Sequence, residues 1–161
     1  MKNVNVLALD LGTHTGYAVR LRSGVVFSGD AKFNVKKGKL TAERWSSFRT
    51  WLTYMINTWN INVVVYEEVR RHTATQAAHV YGGFKALLEM TCAHHDVEYF
   101  GLEVKTIKKH ATGHGNANKE EMIEAAARYL KQFGSQDLQI KSDDQADALH
   151  ILHLVLTRGD V

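Results

Sequence analysis

The stretch that most restricts this chain is VNVLALDLGTHTG, residues 4–16, where an apolar run ends in one carboxylate, Asp10, and breaks into a glycine-bearing turn. A Val- and Leu-rich run closed by glycine reads as a buried strand. Ionised Asp is rarely buried without a partner, so Asp10 at the end of such a strand calls for a cation, a hydrogen-bond network or a structural turn. Three readings are open at this point. Asp10 could hydrogen-bond a hairpin turn over 12–16 that leads into a second strand; it could belong to an acidic metal site; or it could open a phosphate-gripping loop.

The chain is long enough for one substantial core and short for two, so a single domain over 1–161 is expected. No low-complexity tract, repeat or bilayer-length apolar run interrupts it, and the start, MKNVNVLALD, lacks the pattern of a signal peptide. These features lead to the expectation of a soluble intracellular protein with no membrane partner. The lone cysteine, Cys92, excludes an intramolecular disulfide and a cysteine-rich zinc site, and falls inside an expected helix, where it should be core. The formal charge of +3, with basic residues bunched at Lys36, Lys37 and Lys39, at Arg70, Arg71 and His72, and over 105–110, favours a polyanionic partner only weakly.

In chain order, strands are expected to about position 10, over 16–21 and over 25–32, as an antiparallel meander, followed by an exposed lysine-bearing loop over 34–40. Trp45, Phe48, Leu52, Met55, Ile56 and Trp59 recur at helical spacing and predict a helix over 41–60. INVVVY, 61–66, is the β-branched run of a strand covered on both faces, and it stops at Glu67 and Glu68. A helix over about 73–94, a fifth strand over 97–104 and a segment over 105–115, loop in at least its second half, come next. Asn118 with Glu121 forms a capping box for a helix that Gly134 would stop, and Ser142 with Gln145 caps a last helix to about Thr157. Strands alternating with helices after an antiparallel start imply an α/β fold with a mixed sheet flanked by helices.

Acids stand at the ends of elements that could converge: Asp10, Glu67, and Asp143, Asp144 and Asp147 at the last helix. Asp143 suits the helix dipole. Asp144 and Asp147, three apart, share one helix face, and that face continues through Ala148, Ile151 and Val155. Two acids on an otherwise apolar face conflict with packing unless something cationic lies between them. Oxygen ligands without cysteine suit Mg²⁺, with Mn²⁺ as a substitute. Two such ions about 4 Å apart can drive an in-line displacement at phosphorus, and the nearby lysines would hold a phosphate chain that acids alone repel.

The motifs ALDLGTHTGYA, VVYEEV, the Gly-His-Gly-Asn-Ala-Asn-Lys run over 113–119 and DDQADAL over 143–149 together resemble the RuvC family of Holliday-junction resolvases, within the ribonuclease H-like nuclease superfamily. The resemblance covers nearly the whole chain. It implies a ribonuclease H-like fold with a five-stranded mixed sheet, three antiparallel strands then two parallel. By position it implies Asp10, Glu67, Asp144 and Asp147 as four metal-binding carboxylates, Lys119 as a catalytic-site lysine at the scissile phosphate, and Lys108 as an earlier lysine of the same segment. It further implies a homodimer that nicks two opposed strands of a four-way DNA junction symmetrically with magnesium, two ions per site. Such a homodimer would leave 5′-phosphate and 3′-hydroxyl ends, need no small-molecule cofactor, and act in the cytoplasm of a bacterial cell or phage-infected host.

The chain departs from the family after VVYEEV, where Arg70, Arg71 and His72 replace the aromatic residue of bacterial members; this points to contacts made mainly to phosphates. Lys109, Lys36 and Lys37 are further candidate DNA contacts. Glu68 is an alternative to Glu67, and alternation sends the two to opposite faces. His150, one turn past Asp147, could assist a metal or water, or be structural. The rival classes are an actin-like ATPase, which would need a second domain and a second phosphate loop, a non-catalytic DNA-binding module, and another nuclease of the fold acting on other branched DNA or RNA–DNA hybrids.

Overall fold

The computed structural model describes residues 4–70, 74–132 and 139–161. Five strands, β1 (Val6–Asp10), β2 (His14–Arg20), β3 (Val26–Lys32), β4 (Val63–Glu68) and β5 (Glu98–Glu103), form one sheet in the order β3-β2-β1-β4-β5. β1 pairs antiparallel with β2 and β2 with β3, whereas β4 runs parallel to β1 and β5 parallel to β4. This is the mixed sheet of the ribonuclease H-like architecture, three antiparallel strands then two parallel. Helices α1 (Ala42–Trp59) and α2 (Thr75–His94) cover one face; α3 (Val104–Thr112), α4 (Lys119–Gln132) and α5 (Asp143–Arg158) cover the other. No helix among the described residues is long and apolar enough to cross a membrane.

Alternation divides the core in two. Val6, Ala8, Ala18, Val63, Val65 and Leu102 face α3, α4 and α5, while Leu7, Leu9, Val19, Val64 and Tyr66 face α1 and α2. On the second face Phe33, Phe48 and Phe84 meet edge-on or tilted with centroids 4.9–5.9 Å apart, an arrangement suited to the aromatic quadrupole. Cys92 is buried there. Asn60 closes α1 in the left-handed region, φ 47°, a conformation asparagine tolerates.

Several boundaries differ from expectation. The turn after β1 is shorter than the 12–16 span, because β2 already starts at His14, and Gly16 is a strand residue paired with Asp10. The segment after β5 is not mainly loop: α3 runs to Thr112, burying Ile107 and Ala111, and Gly113 ends it at φ 90°. The capping box is made in both directions, Asn118 N donating to Glu121 Oε2 at 2.8 Å and Glu121 N to Asn118 Oδ1 at 3.0 Å. Ser142 Oγ accepts from Gln145 N at 2.9 Å. Gly134 and the expected stop of α4 lie outside the described residues, as do Arg71 and His72.

His150 is structural. It is fully buried, and its Nε2 lies 2.6 Å from the Met122 carbonyl, to which it donates, leaving buried Nδ1 without a partner among the described residues. Burial presses its pKa down to about 4, against the hydrogen bond to Met122. A histidine with a lowered folded pKa stabilises fully above its unfolded value of about 6.5 and loses that contribution as pH falls towards the folded one. Between pH 7.5 and 4.5 the thermal unfolding midpoint of the native protein should therefore fall relative to that of His150→Gln, which keeps the donor and cannot take up the proton, whatever the raised carboxyls add to both; parallel curves would refute the assignment.

Candidate active site

The strand directions collect the candidate residues at one end. β1, β3, β4 and β5 all point the same way, so the segments that follow them leave the sheet at its carboxyl end together with Asp10. Glu67, Arg70, Lys36, Lys37, Lys108 and Lys109 all lie on or just after these strand ends. Asp10 and Glu67 then share a face. Asp10 continues the row of Val6 and Ala8, Glu67 that of Val63 and Val65, and the parallel register that sets Leu9 beside Tyr66 sets Asp10 beside Glu67. Glu68 turns to the opposite face, where Lys85 of α2 donates to both its oxygens at 2.7 and 3.0 Å; this ion pair holds it below the usual carboxylate range. Glu67, not Glu68, thus joins Asp10.

Helix α5 brings in the remaining acids. Its first turn sits directly on β2 at Gly16, where a Cβ would lie 1.8 Å from the Asp144 carbonyl oxygen and 2.8 Å from the Gln145 nitrogen. Only a residue without a side chain permits this approach. Two hydrogen bonds to β3 fix the seat: Ser142 Oγ donates to Asp30 Oδ1 at 2.6 Å and Gln145 Nε2 to Ser28 Oγ at 2.9 Å. Because Gly16 pairs with Asp10, docking here puts Asp144 and Asp147 over the strand end that carries Asp10. On the other side, the Tyr81 hydroxyl of α2 donates to the Glu67 carbonyl at 2.8 Å and accepts from Val69 N at 3.1 Å, fixing the backbone as β4 ends.

The electrostatics follow from this crowding. Burial, then the charges of Glu67, Asp147 and Asp144, holds the Asp10 carboxyl well above its ordinary range, and Asp10 is hydrogen-bonded to Glu67. Burial also raises Glu67, opposed by the Lys108 ammonium. Asp147 is pushed up to about 7 by burial and by Glu67, Asp143 and Asp144, with Lys108 again opposing. Asp144 is raised by burial and by Asp143 and Asp30, and drawn back by His14 and Lys119. Four carboxyls that resist ionising together form an all-oxygen set with a deficit of positive charge, and this fits a hard divalent cation. As the side chains stand, among the described residues no three His, Cys, Asp or Glu groups are gathered closely enough to grip an ion.

The lysines divide. Lys108, on α3, donates to the Ala117 carbonyl at 3.1 Å and acts on Glu67 and Asp147. Lys119, exposed at the first position of α4, is ion-paired with Asp143 at the rim. Arg70 is exposed and paired with Glu103 at 2.9 Å. Lys36, Lys37 and Lys109 are exposed; Arg71 lies outside the described residues.

The family model described as "Crossover junction endodeoxyribonuclease RuvC" matches residues 6–153. The chain belongs to the RuvC family. A curated relative, the crossover junction endodeoxyribonuclease RuvC of Natranaerobius thermophilus, is 28% identical over 109 residues, a match spanning 68% of this chain and 65% of that relative. Among solved structures, Thermus thermophilus RuvC in complex with a Holliday junction substrate superposes with a TM-score of 0.78 at 18% identity, over 97% of this chain and 94% of that one. A second T. thermophilus RuvC structure gives 0.75 at 19%, over 96% of both chains. The yeast mitochondrial Holliday junction resolvase Ydc2 gives 0.62 at 17%, over 92% and 76%. At these identities the likeness shows a shared fold.

Within this RuvC-family fold, two contributors to the site escaped the sequence reading, the Tyr81 clamp and the β3 latch of Asp30 and Ser28; Lys108 was named there by position, but not its offset of the Glu67 and Asp147 charges. Tyr81 stood on an expected buried helix face, and nothing local marked its hydroxyl. Replacing Gly16 by Ala should lift the first turn of α5 and cost about 1–3 kcal/mol. Added Mg²⁺ or Mn²⁺ should raise the unfolding midpoint of the native protein by several degrees, as binding linkage requires, and that increment should vanish in Gly16→Ala as in Asp10→Asn. A Gly16→Ala variant with native cation response would show that the close approach does not position the acids.

Proposed function

We propose that this protein is a divalent-cation-dependent endonuclease that resolves four-way DNA junctions, nicking two opposed strands symmetrically as a homodimer and leaving 5′-phosphate and 3′-hydroxyl ends. The observation that carries this reading is the convergence of Asp10, Glu67, Asp144 and Asp147 at the carboxyl end of a RuvC-family sheet. The names of its relatives, junction endonucleases and resolvases, agree with it. A bacterial or phage-infected cytoplasm is the setting that goes with this activity.

Asp10, Glu67, Asp144 and Asp147 would hold Mg²⁺, two ions per site, with Mn²⁺ as a substitute. When bound, the ions would supply the charge that activates water and steadies the leaving oxygen at phosphorus. The chain's own residues do the rest. The paired strand ends hold the backbones of Asp10 and Glu67 side by side, so that only their half-buried side chains have to turn towards a bound ion. Lys108 offsets part of the negative charge inside the cluster. Lys119, at the exposed rim and ion-paired with Asp143, can exchange that carboxylate for a phosphate oxygen and donate to it as charge develops. Arg70, Lys36, Lys37 and Lys109, set on segments that leave the same end of the sheet, contact the backbone without reading bases; Arg71 belongs to the same group by sequence.

A synthetic four-way junction, compared with linear duplex, three-way junction, flap and RNA–DNA hybrid with and without Mg²⁺, tests this. Paired symmetric nicks in the four-way junction are expected. Cutting of several branched forms, or of hybrid alone, would overturn the junction specificity, and binding without cutting would overturn the catalytic reading. Asp147→Asn should lower cleavage by at least about 10³-fold while junction affinity is kept or increased. Lys119→Ala should lower turnover by about 10²-fold with little change in affinity, the scale of losing one charge-stabilising donor.

A further inference from the structure

Beyond the docking point of α5, one row of the sheet is left unused by the fold. The β2–β3 pairing sets three cross-strand pairs on the α5 face: Ala18 with Ser28, Gly16 with Asp30, and His14 with Lys32. The first two pairs seat the helix through Gln145, Ser142 and the close approach at Gly16. His14 and Lys32 stand one row further towards the carboxyl end, past the start of α5, and both are exposed. Lys32 enters no ion pair among the described residues. His14 is held in place, with Asn34 Nδ2 donating to its Nε2 at 2.8 Å; Nδ1 then carries the proton and is a donor without a partner among the described residues. The ring lies within electrostatic reach of Asp144.

The position of the pair matters as much as its chemistry. Lys108 and Lys119 approach the acids from α3 and α4, whereas His14 and Lys32 flank them from the β3 edge of the strand order. A phosphodiester chain laid across four carboxylates is repelled by them, so it needs donors on both sides. We propose that His14 and Lys32 form a phosphate-binding pair that holds the DNA backbone on the β3 side of the acidic site, beside the phosphate that is cut. The His14 Nδ1–H donates to a non-bridging phosphate oxygen and the Lys32 ammonium neutralises the same phosphate or its neighbour. This placement rests on the nuclease reading, but the contact is read from binding alone.

The test is binding of a synthetic four-way junction in EDTA, so that chemistry does not intervene, from 50 to 200 mM salt, for the native protein and the His14→Ala/Lys32→Ala variant. Both side chains are exposed, so the unfolding midpoint should stay native, and Lys32→Arg should bind as the native protein does. The double variant should bind about tenfold more weakly, with a salt slope smaller by about one, the share of the Lys32 ammonium. A single neutral methylphosphonate, placed at each position around the branch point in turn, should weaken native binding at one or two positions where the double variant is indifferent. Native affinity, slope and methylphosphonate pattern in the double variant would overturn the pair. Cleavage with Mg²⁺, assayed separately, keeps the two readings apart: a native protein that cuts nothing while the pair still governs binding overturns the nuclease and upholds the contact, and a cutting enzyme whose double variant binds normally does the reverse.

Discussion

The close seat of α5 on Gly16 is the constraint on which the rest of the site depends. Asp10 is fixed by its strand and Glu67 by the parallel neighbour, but the other two acids arrive from a helix more than 130 residues further along the chain. They reach Asp10 because backbone meets backbone at the glycine paired with it, and because Ser142 and Gln145 bond across to Asp30 and Ser28. One missing side chain therefore sets the distance between two halves of an electrostatic site.

That seat has an energetic cost. Three carboxyls lie near or within low-dielectric surroundings and all four are raised, Asp147 to about 7, so the protein alone cannot comfortably ionise them. The fold offsets this by sharing a hydrogen bond between Asp10 and Glu67, by placing Lys108 nearby, and by drawing Asp143 outward to Lys119. What remains is a negative deficit open to a cation. A site that is strained electrostatically in isolation and relieved by its ligand is the arrangement expected where function overrides stability.

Much of this was legible in sequence, for definite reasons. Apolar runs ending in acid gave β1 and β4, helical spacing from Trp45 to Trp59 gave α1, and both capping pairs are formed as expected because they rely on residues three apart. The shared face of Asp144 and Asp147 followed from helix geometry alone. The choice between Glu67 and Glu68 did not, because it depends on strand register and on Lys85, 17 residues away on the opposite layer. Nor did the Asp30–Ser142 latch, which joins residues 112 apart. α3 was missed because lysines and two following glycines masked its one apolar pair, Ile107 and Ala111; their spacing of four, with a left-handed glycine at 113 as the stop, was the signal present.

The central claim is that these four carboxylates, and not Glu68, are the cation site. Locating Mn²⁺ by anomalous diffraction from crystals of the native protein tests it most directly. The account predicts peaks about 2.0–2.3 Å from Asp10 oxygens, shared with Glu67 and with Asp144 or Asp147, and none at Glu68. Manganese bound elsewhere at saturation, with Asp10 and Glu67 still hydrogen-bonded to each other, would contradict it.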